Sequence, residues 1–209
     1  MLVVGLTGGI ASGKTTVSSL LEEEGAYLID VDRIAKDLVR PHTAVWHALV
    51  KAFGEGILEG DGSIGRKKLA AMVFSNPDRR KTLEDIVHPE IDHEIRRRLK
   101  GIREKDPDAI VIVDAALLVE TAAYRRMDRL IVVTASKSQQ IERLKQRTGA
   151  TEEEAMGIIS SQMALEEKLK VADFVLPNEG SLEETRRRAK EIFRELGKLA
   201  REKRKDSVF

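Results

Sequence analysis

The sequence predicts an α/β protein built on a parallel sheet, and three observations lead there. Short apolar runs alternate with longer segments of helical periodicity, the order of strands joined by crossover helices. Several runs, above all Leu2 to Leu6 and Ala109 to Val113, are continuously apolar, as strands covered on both faces must be. A glycine-rich turn, Gly8 to Gly13, separates the first run from the first helical pattern.

Five strands are expected, at Leu2 to Leu6, Tyr27 to Asp30, Ala109 to Val113, Arg129 to Thr134 and Phe174 to Leu176. Val17, Leu20 and Leu21 share one helical face, and Leu83, Val87, Ile91, Ile95 and Leu99 keep a spacing of four, which reads as a core face. Capping boxes, in which two side chains satisfy each other's orphan backbone donors, are expected at Ser136/Gln139, Thr151/Glu154 and Ser181/Glu184. The second divides a helix ending near Arg147 from one starting at Glu152, a helical hairpin that reads as a lid. The last helix, from Leu182, loses its apolar face at Arg201 to Lys205, which predicts a frayed, solvated end.

Between Asp32 and Lys100 helical patterns and Gly54, Gly56, Gly60 and Gly62 replace the strand alternation, which predicts an inserted substrate subdomain. The 209 residues therefore divide into a core at about 1–32, 105–136 and 170–205, a helical substrate subdomain at about 33–104 and a lid at about 137–169. Together they form one domain.

Lys plus Arg number 36 against 35 Asp plus Glu, so the net charge of +1 points to no nucleic acid and to no polybasic membrane contact. The absence of cysteine excludes disulfides, thiolate metal sites and thiol nucleophiles, and the four scattered His argue against a zinc site. Ala109 to Val119, the longest apolar stretch, is interrupted by Asp114 and is shorter than the roughly 18 residues of a membrane span. Met1 leads straight into the first strand with no export signal, so a cytoplasmic protein is expected, as a monomer or weak homo-oligomer.

The turn itself, Gly8-Gly-Ile-Ala-Ser-Gly13-Lys14-Thr15, matches the phosphate-binding P-loop pattern between a strand and a helix. Small residues at Gly8, Gly9, Ala11, Ser12 and Gly13 let backbone N–H groups turn around an anion, and the helix adds its positive end. Lys14 would reach the β- and γ-phosphates of ATP, and Thr15 would offer its hydroxyl to Mg²⁺. The fold class is then α/β of the P-loop NTPase type, with a five-stranded parallel sheet flanked by helices.

Asp30-Val-Asp32 closes the second strand, where alternation would turn both carboxylates to one side. Transfer to an alcohol needs a carboxylate to accept the hydroxyl proton, and Asp32 is the candidate. The alternative is that Asp32 only caps the following helix. Asp114 ends an apolar strand in Walker B fashion and either serves the metal through water or is merely a strand terminus. Arg143 and Arg147, four apart on one helix face, would close over the phosphates if the hairpin is a lid and are otherwise solvated. Arg96-Arg97-Arg98 reads as a solvated run.

Along nearly its whole length the chain resembles the dephospho-CoA kinase family. The resemblance rests on Gly5-Leu-Thr-Gly-Gly-Ile-Ala-Ser-Gly-Lys-Thr15, Asp30-Val-Asp32, Phe53-Gly-Glu-Gly-Ile-Leu58 and Asp61-Gly-Ser-Ile-Gly-Arg66. It continues through Val73-Phe74, His88-Pro89, Leu117-Leu-Val-Glu120, Gln162 and Ala172-Asp173 leading to Asn178. It implies transfer of the ATP γ-phosphate to the ribose 3′-hydroxyl of dephospho-CoA, with Asp32 as base, Lys14 and Arg143 catalytic, and Mg²⁺ as cofactor. It further implies ATP contacts from the P-loop, Thr16, Arg147 and Asn178, the last in a loop near the adenine. Thr7, Asp30, Asp32, Arg66 and His88 would face the acceptor, although a His before a helix-kinking Pro can equally be a structural bridge. The sequence departs from the family at Ala116, commonly Pro, and at Thr121, often Asn.

Two other classes compete with this one. A related kinase acting on a nucleoside, nucleotide or sugar would share the P-loop and lid. A GTPase switch or nucleotide sensor would need N-K-x-D, and Ala135-Ser-Lys-Ser138 supplies neither its Asn nor its Asp.

Overall fold

The computed structural model describes residues 1–206. They form two compact units, one of residues 1–29 and the described residues from 101 onward, the other of residues 30–100.

The first unit carries the sheet. Strand β1 (Leu2–Gly8) lies at its centre, followed by helix α1 (Lys14–Glu23) and β2 (Tyr27–Asp30). The remaining strands are β3 (Ile110–Asp114), β4 (Arg129–Thr134) and β5 (Phe174–Pro177). All five expected strands form, in the order β2-β3-β1-β4-β5. The β1–β3, β1–β4 and β4–β5 ladders are parallel, with Leu6 opposite Asp114 on one side and Ile131 on the other. Every residue of β3 is buried, the burial that its unbroken apolar run requires.

The chain turns to opposite sides of β1 when it forms β3 and β4, so the crevice beyond the carboxyl ends of these strands lies at a topological switch point. Gly8, Asp114 and Thr134 all end there.

Helix α1 buries Val17, Leu20 and Leu21 against the sheet, the face its periodicity predicts. The C-terminal helix, Leu182–Asp206, covers the same core with Ala189, Leu196 and Ala200. Each fully buried valine or leucine side chain contributes roughly 1.5–3 kcal/mol, and an alanine methyl less. Contrary to the expected fraying, this helix runs on through Arg201 to Lys205. Those residues are exposed but are good helix formers, and Lys203 and Arg204 are tied to Asp128 and Asp108.

Also in this unit, the helices Lys137–Thr148 and Glu152–Ser160 form the expected hairpin. Gly149 in the left-handed region ends the first, and the Thr151/Glu154 capping box starts the second. Ser181 and Glu184 exchange the same pair of bonds, whereas at Ser136 the Gln139 N–H donates to the serine hydroxyl and the Gln139 side-chain oxygen accepts from that hydroxyl instead of from the Ser136 N–H.

The second unit is helical. Its small core joins Val45 and Leu49 of helix Ala44–Phe53 to Ile57, with Leu69, Met72, Leu83 and Val87 packed around them. The helix Pro77–Lys105, 29 residues long, continues through Pro89. It buries none of its residues fully. The spacing of four from Leu83 to Leu99 therefore marks a half-covered stripe, because a helix of this length outruns so small a core. Among the described residues no helix is long and apolar enough to cross a membrane.

Candidate active site

The P-loop occupies the turn from β1 into α1. Gly13 sits at φ +89°, in the left-handed region, as the N-cap of α1. A Cβ there would also lie inside van der Waals contact with the Asn178 side chain, so two independent constraints require glycine. Ala11 is left-handed as well, at φ 56°, a conformation that alanine adopts only where its surroundings impose it. Ser12 N–H closes the turn on the Gly9 carbonyl at 3.1 Å.

Lys14 opens α1 and its ammonium pairs with the carboxylate of Asp114, their side chains 16% and 7% exposed. These two largely buried charges thus neutralise one another, and an incoming phosphate would compete for the ammonium. Thr15 and Thr16 lie exposed in the first turn of the same helix.

The back of the loop is held by two residues from the sequence analysis. Asn178, buried beyond β5, donates to the Ser12 carbonyl at 2.8 Å and accepts from the Thr185 hydroxyl at 2.9 Å. Arg143 donates to the carbonyls of Ala11 and Ser12 at 3.3 and 3.2 Å and to that of Asn178 at 2.9 Å. Asn178 therefore uses an amide N–H and its amide oxygen to tie the loop to the last helix, as a buried polar side chain must find partners. Arg147, one turn on, is exposed. Thr7 is fully buried and its hydroxyl donates to the Ala116 carbonyl at 2.9 Å, so that group is used inside the fold.

In the second unit, β2 ends at Asp30 and helix α2 (Val31–Leu38) begins at once. Asp30 is its N-cap, accepting from the Arg33 N–H at 2.8 Å. Two expectations are corrected here. The strand is too short for alternation to align the two carboxylates, and the capping role considered for Asp32 belongs to Asp30. Asp32 stands exposed in the first turn of α2 and makes no hydrogen bond or ion pair among the described residues. It lines a cleft of about 420 Å³ with Ala35, Lys36, Val39 and Arg66. His88 is exposed on the long helix and does not line this cleft.

Three contributors escaped the sequence reading. Lys168 lies in the run Leu165–Leu169, whose charges look solvated, yet its side chain is 1% exposed and pairs with Glu120. Gln140 bonds the Ile10 carbonyl and Thr185 bonds Asn178, and no local pattern singles out either one.

A parallel sheet of this order, with a phosphate loop at its switch point and an acid ending the neighbouring strand, defines a P-loop phosphotransferase. The model of the dephospho-CoA kinase family matches residues 2–184. The chain belongs to that family. A dephospho-CoA kinase of Carboxydothermus hydrogenoformans is 44% identical over 184 residues, covering 88% of this chain and 89% of the relative. A crystal structure from Thermus thermophilus superposes with a TM-score of 0.78 at 35% identity, covering 93% of this chain and 97% of the other. The dephospho-CoA kinase from Campylobacter jejuni gives 0.60 at 27% identity, covering 94% and 97%.

Proposed function

We propose that this protein transfers the γ-phosphoryl group of ATP to the ribose 3′-hydroxyl of dephospho-CoA, yielding coenzyme A and ADP. The observation that carries the reading is the P-loop at the switch point with Lys14 poised against Asp114. Membership of the dephospho-CoA kinase family supplies the acceptor.

In the proposed reaction the 3′-oxygen forms a bond to the γ-phosphorus as the bond to the β,γ-bridging oxygen breaks. The hydroxyl proton passes to the Asp32 carboxylate, and ADP leaves with the electron pair. What supports Asp32 is its freedom: Asp30 caps α2, which leaves the second carboxylate to a ligand. Arg66, on the same cleft, offers a cation to an anionic acceptor, whereas His88, outside that cleft, is assigned to the acceptor on the family resemblance alone. Lys14 neutralises the β- and γ-phosphates, with Gly8, Gly9, Ala11, Ser12 and Gly13 presenting backbone N–H groups. Arg147 and Thr16 are assigned to the nucleotide.

The Thr15 hydroxyl and the Asp114 carboxylate are hard oxygen donors suited to Mg²⁺, which holds few protein ligands when phosphates supply the rest. The ion would offset charge on the phosphate oxygens. The division into a nucleotide core, a substrate unit and a lid formed by the helical hairpin is part of the same proposal, as is action in the cytoplasm.

The test is ADP release with Mg-ATP and a panel of dephospho-CoA, adenosine, AMP, shikimate and gluconate, with products identified by mass. Phosphorylation of dephospho-CoA, at its 3′-position and in preference to the others, is the expected result. Preference for another acceptor would overturn the substrate assignment and leave the phosphotransferase class standing.

A further inference from the structure

Three consecutive carbonyls of the phosphate loop accept hydrogen bonds from side chains outside it. Gln140 Nε2 donates to Ile10 at 3.0 Å, Arg143 to Ala11 and Ser12, and Asn178 Nδ2 again to Ser12. The Ile10 N–H is also occupied, donating to Gln162 Oε1 at 2.7 Å.

Peptide planarity gives these contacts a consequence. In a trans peptide the carbonyl of one residue and the N–H of the next point in opposite directions. Carbonyls of Ile10 and Ser12 held outward therefore turn the N–H groups of Ala11 and Gly13 toward the concave side, while Ser12 N–H closes its turn on Gly9. Without that hold the loop is a run of small residues with many accessible conformations, and binding would have to order it.

The clamp is itself fixed. Asn178 is 8% exposed and anchored through Thr185, and Arg143 also donates to the Asn178 carbonyl. A Cβ on Gly9 would come within 2.6 Å of Gln140 Nε2, so the clamp needs the glycine there.

We propose that Gln140, Arg143 and Asn178 are positioning residues that pre-set the phosphate loop for nucleotide, and that Arg143 acts through the loop and not as a transition-state arginine. The inference rests on the loop holding nucleotide phosphates. Two of the three clamp side chains are neutral, so attraction between their charge and the phosphates cannot account for their effect.

The experiment measures Mg-ADP binding by calorimetry and steady-state kinetics on the whole protein for Gln140→Leu, Asn178→Leu, Arg143→Lys and Arg143→Met. Each variant is expected to bind ADP about tenfold more weakly or worse, the effect of leaving a loop carbonyl unpaired. KM for ATP should rise in parallel, with kcat at saturating ATP reduced far less than kcat/KM. Arg143→Lys should behave as Arg143→Met does, because a lysine keeps the charge but not the fork that spans three carbonyls.

Wild-type ADP affinity in Gln140→Leu would overturn the clamp. So would an Arg143→Met variant that binds ADP normally while kcat falls by orders of magnitude, since that is the signature of an arginine meeting the transition state directly. If Asn178→Leu fails to fold, Gln140→Leu decides the question, its side chain being only half-buried on the helix surface. A wild-type protein that binds no ADP would overturn the phosphate-loop reading, and this inference with it.

Discussion

The Lys168 ammonium and the Glu120 carboxylate lie 2.6 Å apart, the lysine side chain 1% exposed and the glutamate 20%. The contact is ionic, since neither buried carboxylate oxygen has a hydrogen-bond partner. Lys168 also donates to the Ala116 carbonyl at 3.2 Å, the acceptor that the Thr7 hydroxyl uses, so a single carbonyl joins three distant segments.

Removing one member of a buried pair leaves the other charged and unpaired, at a cost of roughly 3–5 kcal/mol. Lys168→Met should therefore lower the thermal midpoint by about 10 °C. Adding Glu120→Leu to it should recover most of that loss. A single variant as stable as the wild type, measured by calorimetry, would mean the pair contributes nothing.

Gly13→Ala meets both the positive φ and the Asn178 side chain. It should abolish measurable ADP binding, because the loop must shift where the phosphates would sit. Titration calorimetry checks this, and retained affinity would show that the loop relaxes around a methyl group.

Asp32→Asn should reduce turnover by about two orders of magnitude or more, the lower range for loss of a general base, with ADP affinity nearly intact. The comparison is of kcat with calorimetric binding on one preparation. Near-normal turnover would remove the base role from Asp32.

Glu94, held by Arg97 and Arg98 at 2.7 Å each, has its carboxyl lowered from 4.5 to about 2, mainly by the hydrogen bond from Arg97. A depressed carboxyl pKa stabilises the fold above the unfolded value, and that contribution is lost as pH falls through the folded one. Stability attributable to Glu94 should be full above pH 4.5 and disappear progressively toward pH 2. Because Arg97 is 66% exposed, solvent screening limits it to about 1 kcal/mol. Glu94→Gln should flatten the acid limb of a stability–pH profile by that amount, and the difference should shrink in high salt.

The strands, the helical hairpin and the P-loop were legible because each is written in adjacent residues. An unbroken apolar run signals a doubly covered strand, Thr151 and Glu154 cap a helix from three positions apart, and the glycines of a phosphate loop answer a local backbone demand. Asp30 and Asp32 show where that legibility ends. A shift of strand end by a residue or two decides which carboxylate caps and which stays free, and boundaries depend on packing that propensity does not encode.

The sequence by itself determined the class of chemistry, since a loop that wraps phosphate requires small residues, a lysine and a helix start in one contiguous order. Tertiary structure alone decided how that loop is held. The bonds from Arg143 and Asn178 to Ser12 span 131 and 166 residues, and the partners of Lys168 are set by three segments meeting at one carbonyl. A buried polar group takes whatever donor or acceptor the fold brings within reach, and that choice is a property of the packed chain and not of any window within it.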